Sequence, residues 1–248
     1  MALKEKVLNT SNLVSFWDFQ EKSTEGYKAQ GKHTCFLEEM VENIEMVKDG
    51  IFGEYSLKFK EGDWLNIPRN KCGDLNIGGK DGEVTVIAWV KREKKSNNQC
   101  EAVAGMWNEE NKQRQYCLFL NLSIHDGNQQ VCGHISSVGG PTPGQRWCMD
   151  ASIGSTEVEL GNWHCIGFTY DRTHIKSYLD GVLDERETMN PYFYPEGIFL
   201  GDENGSNFTV GGVYRLGEMG NWFTGLLGGL AVYDRALTAE EMKNIMNV

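Results

Sequence analysis

The chain has 248 residues, a length that one all-β domain can reach, and its net charge is −11. An acidic chain repels phosphate groups, so we expect neither nucleic acid nor an anionic membrane as a partner. The 29 glycines and 5 prolines, with 11 % aromatic residues, favour short strands joined by tight turns.

The cysteines and the first residues bear on the cellular compartment. Seven cysteines occur without a C-x-x-C spacing, so neither a disulfide framework nor a zinc site is predicted. Residues 1–6 lack the apolar stretch of a signal peptide. No run approaches the roughly 18 consecutive apolar residues of a membrane span. We therefore expect a reduced, cytoplasmic protein, or an extracellular one if the natural chain begins further upstream.

Short strands are predicted along the first half of the chain. Alternating or β-branched runs occupy residues 13–19, 55–59, 64–68 and 84–90. Residues 116–122 and 131–136 are predicted to pair as a hairpin, because Asp126-Gly127-Asn128 between them is a strong turn sequence.

The second half continues the pattern and ends in a helix. Residues 164–170 and 175–179 flank Asp171-Arg172-Thr173 and predict another hairpin, and residues 208–212 and 225–233 complete the strands. One helix is predicted after Thr238, where T-A-E-E forms a capping box and Met242, Ile245 and Met246 form an apolar stripe.

These elements indicate a single domain over residues 1–248, built as two packed antiparallel sheets with a short C-terminal helix. An eight-stranded barrel is the alternative. A barrel would not readily explain residues 91–115 and 137–162, which are predicted to be long loops.

Three stretches of sequence carry a family resemblance. Residues 162–171 (N-W-H-C-I-G-F-T-Y-D) with residues 178–181 (Y-L-D-G) match a W-H-x-V-x-x-T-Y-D and Y-x-D/N-G hairpin. Residues 225–241 match a closing G-x-I-D-E-V-R-I-Y-x-R-A-L-S-x-E-E segment, and residues 13–19, 55–68 and 86–90 match the opening strands. The chain thus resembles the laminin-G-like jelly rolls of the concanavalin A-like lectin/glucanase superfamily.

The resemblance implies an all-β jelly roll but leaves the activity open. The superfamily includes lectins, carbohydrate-binding modules, glycosidases, polysaccharide lyases and protein-binding modules. Gly228 and Gly229 stand where the family has an acidic pair, so a ligand role of that pair cannot be transferred to this chain.

Two predicted strands have one bulky face and one face of small residues. The bulky sets are Ile166, Phe168 and Tyr170, and Leu226, Leu230 and Val232; the small sets are Cys165, Gly167 and Thr169, and Gly229 and Ala231. Bulky faces belong between the sheets. The small faces either form the floor of a shallow groove or lie beneath a covering loop.

Sugar binding requires aromatic faces and planar polar groups, and two segments supply both. One lies on or beside the predicted central hairpin, and the other is the glycine-rich loop at residues 217–222. The candidate ligand-binding residues are Trp107, Asn121, Arg215, Glu218, Asn221 and Trp222.

Glycan cleavage is the first alternative. A lyase that acts on uronates needs a base, together with amide or guanidinium groups that hold the carboxylate. The candidate catalytic residues are Arg114, Gln115, Tyr116 and His134. Strand alternation places Gln115 on one face and Arg114 with Tyr116 on the other, so they share a site only if the strand is bulged. The E-x-D-x-x-E motif of retaining glucanases is absent from the sequence. Glu157-Val158-Glu159 has a suitable spacing but precedes a Gly-Asn turn, so glucanase chemistry is disfavoured.

The segment at residues 202–207 is rich in oxygen ligands. It is either a plain polar turn or a calcium site with Asp202 and Asn204 as ligands. The sequence as a whole predicts a carbohydrate-binding domain. A polysaccharide lyase for uronate-containing sugars and a protein-interaction module remain as alternatives.

Overall fold

The computed structural model describes residues 2–42 and 44–246, which form a sandwich of two sheets with a helix near each end. In chain order the helices and strands are α1 (Leu3–Asn9), β1 (Leu13–Trp17), β2 (Tyr27–Lys28), β3 (Phe36–Glu39), β4 (Glu45–Val47), β5 (Ser56–Phe59), β6 (Leu65–Ile67), β7 (Val84–Arg92), β8 (Glu101–Asn108), β9 (Gln113–Leu120), β10 (Val131–Ile135), β11 (Ala151–Ile153), β12 (Trp163–Tyr170), β13 (His174–Leu179), β14 (Val182–Leu183), β15 (Tyr192–Phe193), β16 (Phe208–Val210), β17 (Val213–Arg215), β18 (Glu218–Gly220), β19 (Gly225–Tyr233) and α2 (Ala239–Met246). The predicted all-β sandwich is confirmed.

Each sheet combines strands from both halves of the chain. The first sheet has the order β14-β13-β12-β7-β19-β5-β4, with β1 paired to β19 and β15 paired to β13. The second has the order β11-β10-β9-β8-β16-β6-β3-β2, with β17 beside β8 and β18 beside β17. The predicted hairpins β9–β10 and β12–β13 are both present and antiparallel.

The bulky strand faces meet between the sheets, but β19 differs from the prediction. Its pairing with β7 shifts between Leu227 and Gly229, so Gly228 is an extra, bulged residue. Leu227, and not Leu226, therefore joins Leu230 in the main core. A Cβ at Gly228 would lie 3.0 Å from the Trp163 ring, so the absence of a side chain there allows the indole to pack on the strand.

The small-residue face of the first sheet is not a groove. Val7 of α1 and Met242 and Ile245 of α2 pack over it in one buried cluster with Cys165. A Cβ at Gly167 would lie 3.3 Å from the Met242 methyl group. The terminal helices cover this face because its small side chains leave space for theirs. Of the two predicted interpretations, the covered face is correct, although two helices and not a loop cover it.

The helices themselves were predicted in part. The capping box of α2 is confirmed, since Thr238 Oγ1 accepts from the Glu241 amide at 3.2 Å and Glu241 Oε2 accepts from the Thr238 amide at 2.9 Å. Helix α1 was not predicted. Within residues 2–42 and 44–246, no helix is long and apolar enough to cross a membrane.

The largest error in the prediction concerns residues 91–115. This segment is not a loop, because it contains β8, which lies between β9 and β16 in the second sheet. The strand sequence E-A-V-A-G-M-W-N has small residues and a glycine in place of a clear alternation, so the local signal for a strand is weak. Pairing with the neighbouring strands β9 and β16 makes this segment a strand instead.

Candidate functional site

The candidate site lies on the outer face of the second sheet, where three strands place ring side chains together. Trp107 of β8, Phe119 of β9 and His134 of β10 belong to the side of the sheet opposite the inward Tyr116 and Leu118. The Trp107 ring centroid lies 4.3 Å from that of His134 and 5.8 Å from that of Phe119. These rings form the floor of a cavity.

Loops from distant parts of the chain complete the cavity, which has a volume of about 270 Å³. It is lined by Asn98, Gln99, Cys100, Trp107, Glu109, Arg114, Phe119, Leu122, Ser123, Ile124, His134, Trp147, Cys148, Arg215 and Asn221. Five of the residues singled out in the sequence are therefore brought together: Trp107, Arg114, His134, Arg215 and Asn221.

A bulge in β9 decides which catalytic candidates reach the cavity. Met106 pairs with Tyr116 and Trp107 pairs with Arg114, so Gln115 is the extra residue. The bulge places Arg114 at the cavity, whereas Tyr116 points into the core and donates its hydroxyl to the Leu75 carbonyl at 2.7 Å. The prediction that Arg114 and Tyr116 share a face is wrong, because simple alternation does not hold across a bulge.

Gln115 and Asn121 also lie outside the cavity lining. Gln115 is fully buried, and its amide donates to Asn76 Oδ1 at 3.0 Å and to the Ile77 carbonyl at 3.1 Å. Asn121 has a positive φ of 53° and donates its amide to the Gln99 carbonyl at 3.1 Å. Both side chains support neighbouring segments of backbone.

His134 is buried and neutral in the floor of the cavity. Burial, and then the charge of Arg114, lower the pKa of His134 to about 3. Its Nε2 lies 3.2 Å from the Cys148 carbonyl oxygen, which can only accept, so Nε2 carries the proton. Nδ1 is then an acceptor, and it has no partner among the described residues. So weakly basic an imidazole is poorly suited to remove a proton from a substrate.

The two arginines give the cavity its charge. The Arg114 guanidinium lies 5.9 Å from the Trp107 ring centroid, and its nearest carboxylate oxygen, on Glu109, is 3.7 Å away. Arg215 donates to Asn221 Oδ1 at 3.0 Å. The Nε atoms of both arginines are buried without a partner in the described part of the chain. The lining thus retains unused hydrogen-bond donors.

The exposed aromatic ring at the cavity is Trp147, which the sequence analysis did not single out. Trp147 is 40 % exposed, and the Arg146 guanidinium lies 4.8 Å from its ring centroid. Trp107, in contrast, is 1 % exposed and serves as the floor. An aromatic residue within the predicted loop at residues 137–162 was the available signal for Trp147.

The remaining candidates are Glu218 and Trp222, predicted to bind the sugar, and Asp202 and Asn204, predicted to bind calcium. Glu218 and Trp222 line a neighbouring, smaller cavity that shares Arg215 with the first. At the proposed calcium site, Asp202 Oδ1 accepts from the Asn204 amide at 2.8 Å, and the Asp202 carbonyl accepts from Arg69 Nε at 2.8 Å. No cluster of three or more His, Cys, Asp or Glu residues suited to a metal ion occurs in the described ranges. Calcium binding by Asp202 and Asn204 stays a prediction.

Three solved structures illustrate what the fold is similar to. Domain 4 of AbnA, an extracellular arabinanase from Geobacillus stearothermophilus in complex with arabinotriose, matches with a TM-score of 0.59 and 16 % identity over 95 % of this chain and 98 % of that one. The Ruminococcus gnavus IT-sialidase CBM40 bound to alpha2,3 sialyllactose matches with a TM-score of 0.55 and 16 % identity over 77 % and 96 %. At these identities the likeness is one of fold.

The third structure is longer than this chain. The botulinum neurotoxin serotype D ligand binding domain in complex with N-acetylneuraminic acid matches with a TM-score of 0.59 and 11 % identity, over 99 % of this chain and 52 % of that one. No curated protein matches the sequence. A family model described as the concanavalin A-like lectin/glucanases superfamily matches residues 60–243. The chain belongs to this superfamily, in its laminin-G-like branch.

Proposed function

We propose that the chain is a carbohydrate-binding domain and that the cavity on the outer face of the second sheet holds the sugar. The observation that carries the proposal is the composition of this cavity. An exposed indole, Trp147, stands beside planar polar side chains such as Asn98, Gln99 and Asn221, around an aromatic floor. Sugar rings contact aromatic faces, and amide groups pair with their hydroxyls.

The size of the cavity supports recognition of a short ligand. A volume of about 270 Å³ lies just below the range of roughly 300–1,000 Å³ that accommodates drug-sized molecules. Such a cavity suits one sugar ring better than a run of several. The proposal is therefore recognition of a terminal sugar.

The fold neighbours add support of a different kind. Their structures contain arabinotriose, sialyllactose and N-acetylneuraminic acid. These ligands are sugars of different chemistry, so the neighbours favour a carbohydrate without selecting one. The selection has to come from the residues of this chain.

A glycan array followed by calorimetric titration tests the proposal. Trp147→Ala should weaken sugar binding about tenfold, which corresponds to the roughly 1–1.5 kcal/mol expected for an aromatic contact. The matched control is Phe193→Ala, because Phe193 is 64 % exposed on β15 of the other sheet. The Phe193→Ala variant should bind the sugar with the affinity of the wild type.

Three outcomes would refute the proposal. The first is the absence of any bound glycan, and the second is equal affinity for wild type and Trp147→Ala. The third is that no glycan binds while a protein partner is captured and free sugars do not compete with it. That outcome would favour the protein-interaction alternative. Chromatography of the sugars after incubation checks cleavage, and the proposal expects them to be unchanged.

A further inference from the structure

We infer that the bound sugar carries an anionic group, held by Arg114 and Arg215 at the wall of the cavity. The inference rests on the proposed function and adds the chemical class of the ligand to it. A carboxylate on a uronic or sialic acid and a sulfate ester on a neutral sugar share the required chemistry.

The net charge of the cavity lining is opposite in sign to the net charge of the whole protein. The chain carries a net charge of −11, yet the charged lining residues that the structure describes are two guanidiniums, Arg114 and Arg215, and one carboxylate, Glu109. The lining is thus net positive by one charge. A positive pocket on an acidic protein favours an anionic ligand over neutral competitors.

Arg114 is poorly neutralised by the protein itself. It is 4 % exposed, and its guanidinium contacts the Gly139 carbonyl at 3.4 Å and the Glu109 carboxylate at 3.7 Å, both long for hydrogen bonds. Glu109 meanwhile accepts from the Trp107 indole at 3.3 Å. A buried cation without a close anion costs free energy, and an anionic ligand that enters the cavity removes this cost.

His134, in the floor of the same cavity, indicates that the anionic group belongs to a larger polar molecule. Neutral His134 keeps an unpartnered acceptor, Nδ1, which requires a donor such as a hydroxyl. A simple carboxylate or sulfate ion only accepts hydrogen bonds. A ligand that combines an anionic group with hydroxyl donors satisfies both arginines and His134, and an acidic sugar has this combination.

The test compares sugars that differ in one group. Calorimetric titrations at low salt use methyl glucuronide, methyl glucoside, glucose 6-sulfate, N-acetylneuraminic acid and its methyl ester, with sodium acetate as a simple anion. At least one acid should bind about tenfold or more tightly than its neutral counterpart, because charge-assisted hydrogen bonds are about twice as strong as neutral ones. The carboxylate and sulfate arms identify which anion is preferred.

The arginine variants connect this preference to the cavity. Arg114→Gln and Arg215→Gln should each reduce binding of the preferred acid about tenfold and reduce binding of its neutral counterpart by less, so that the preference for the acid falls. Arg172→Gln is the matched control, because Arg172 lies in the β12–β13 turn of the first sheet and pairs with Glu83. Arg114→Lys, which retains the charge, should keep most of the preference for the acid. If circular dichroism shows Arg114→Gln to be unfolded, Arg215→Gln carries the test of charge removal.

The outcomes separate this inference from the proposed function. Neutral and acidic sugars of equal affinity, or a preference that survives both arginine substitutions, would overturn the inference and leave carbohydrate binding intact. Acetate that binds as tightly as the acidic sugars would overturn it too. If no sugar binds at all, the proposed function fails and the inference fails with it.

Discussion

Replacement of Glu101 by leucine is expected to destabilise the protein by about 3–5 kcal/mol. Glu101 begins β8, and its Oε1 lies 2.5 Å from the guanidinium of Arg92 at the end of β7. The side chains are 1 % and 2 % exposed, so this ion pair joins the two sheets almost completely buried. Arg92 also donates to the Val158 carbonyl at 2.9 Å.

The magnitude follows from the burial of the pair. Two unit charges about 4 Å apart attract each other by about 4 kcal/mol at an effective dielectric constant of about 20. Leucine removes the carboxylate and leaves Arg92 charged and buried, so the desolvation cost of Arg92 is no longer offset by the carboxylate. The melting temperature should fall by about 6–20 °C, since each kcal/mol corresponds to roughly 2–4 °C in a protein of this size.

Urea unfolding followed by circular dichroism measures the effect. The control is Glu54→Leu, because Glu54 forms an equally direct ion pair with Lys48, 2.6 Å long, but is 57 % exposed. This surface pair should contribute at most about 1 kcal/mol. The double variant Arg92→Met/Glu101→Leu should recover most of the loss, since no unpaired charge remains. A Glu101→Leu variant as stable as Glu54→Leu, or a double variant less stable than Glu101→Leu, would refute the reasoning.

Three further predictions concern the core, the cavity and the last helix. Gly133→Ala should cost about 1–3 kcal/mol in urea unfolding, because a Cβ there would lie 2.6 Å from the buried Phe168 side chain; an unchanged midpoint would contradict this close approach. Burial lowers the pKa of His134 from 6.5 to about 3, so between these values the unfolded state binds the proton and the folded state does not. The free energy of unfolding should therefore fall as the pH drops below 6.5, by up to about 1.4 kcal/mol per pH unit, and His134→Phe should remove that part of the slope; an identical pH dependence in both proteins would show that His134 is not buried as described. Thr238→Ala, which breaks the capping box with Glu241, should lower the melting temperature by the equivalent of about 1 kcal/mol, and no change would mean that the cap does not hold the helix.

Several residues of the candidate site were identified from the sequence by side-chain chemistry alone. Trp107, Arg215 and Asn221 were chosen for their chemistry and do line the cavity, as do Arg114 and His134. These residues were chosen because they are polar or aromatic in or beside apolar strands and glycine-rich turns, and their role in ligand binding stays a prediction. The chemical character of a side chain can be read from the identity of a single residue, without knowledge of its neighbours in space.

The sequence by itself determined the elements whose signals are local. The β9–β10 and β12–β13 hairpins follow from turn residues between alternating runs, β19 spans the predicted residues 225–233, and the capping box fixes the start of α2. Turn preference, strand alternation and helix capping act over a few residues, so a few residues suffice to predict them.

Tertiary structure decided the rest, because the causes lie far apart in the chain. Strand β8 forms between β9 and β16 despite a weak signal of its own. The bulge at Gln115, which sends Arg114 outward and Tyr116 inward, exists only in the pairing of β9 with β8. The cavity needs residues from Asn98 to Asn221 at one place, and only the packed sandwich brings them there.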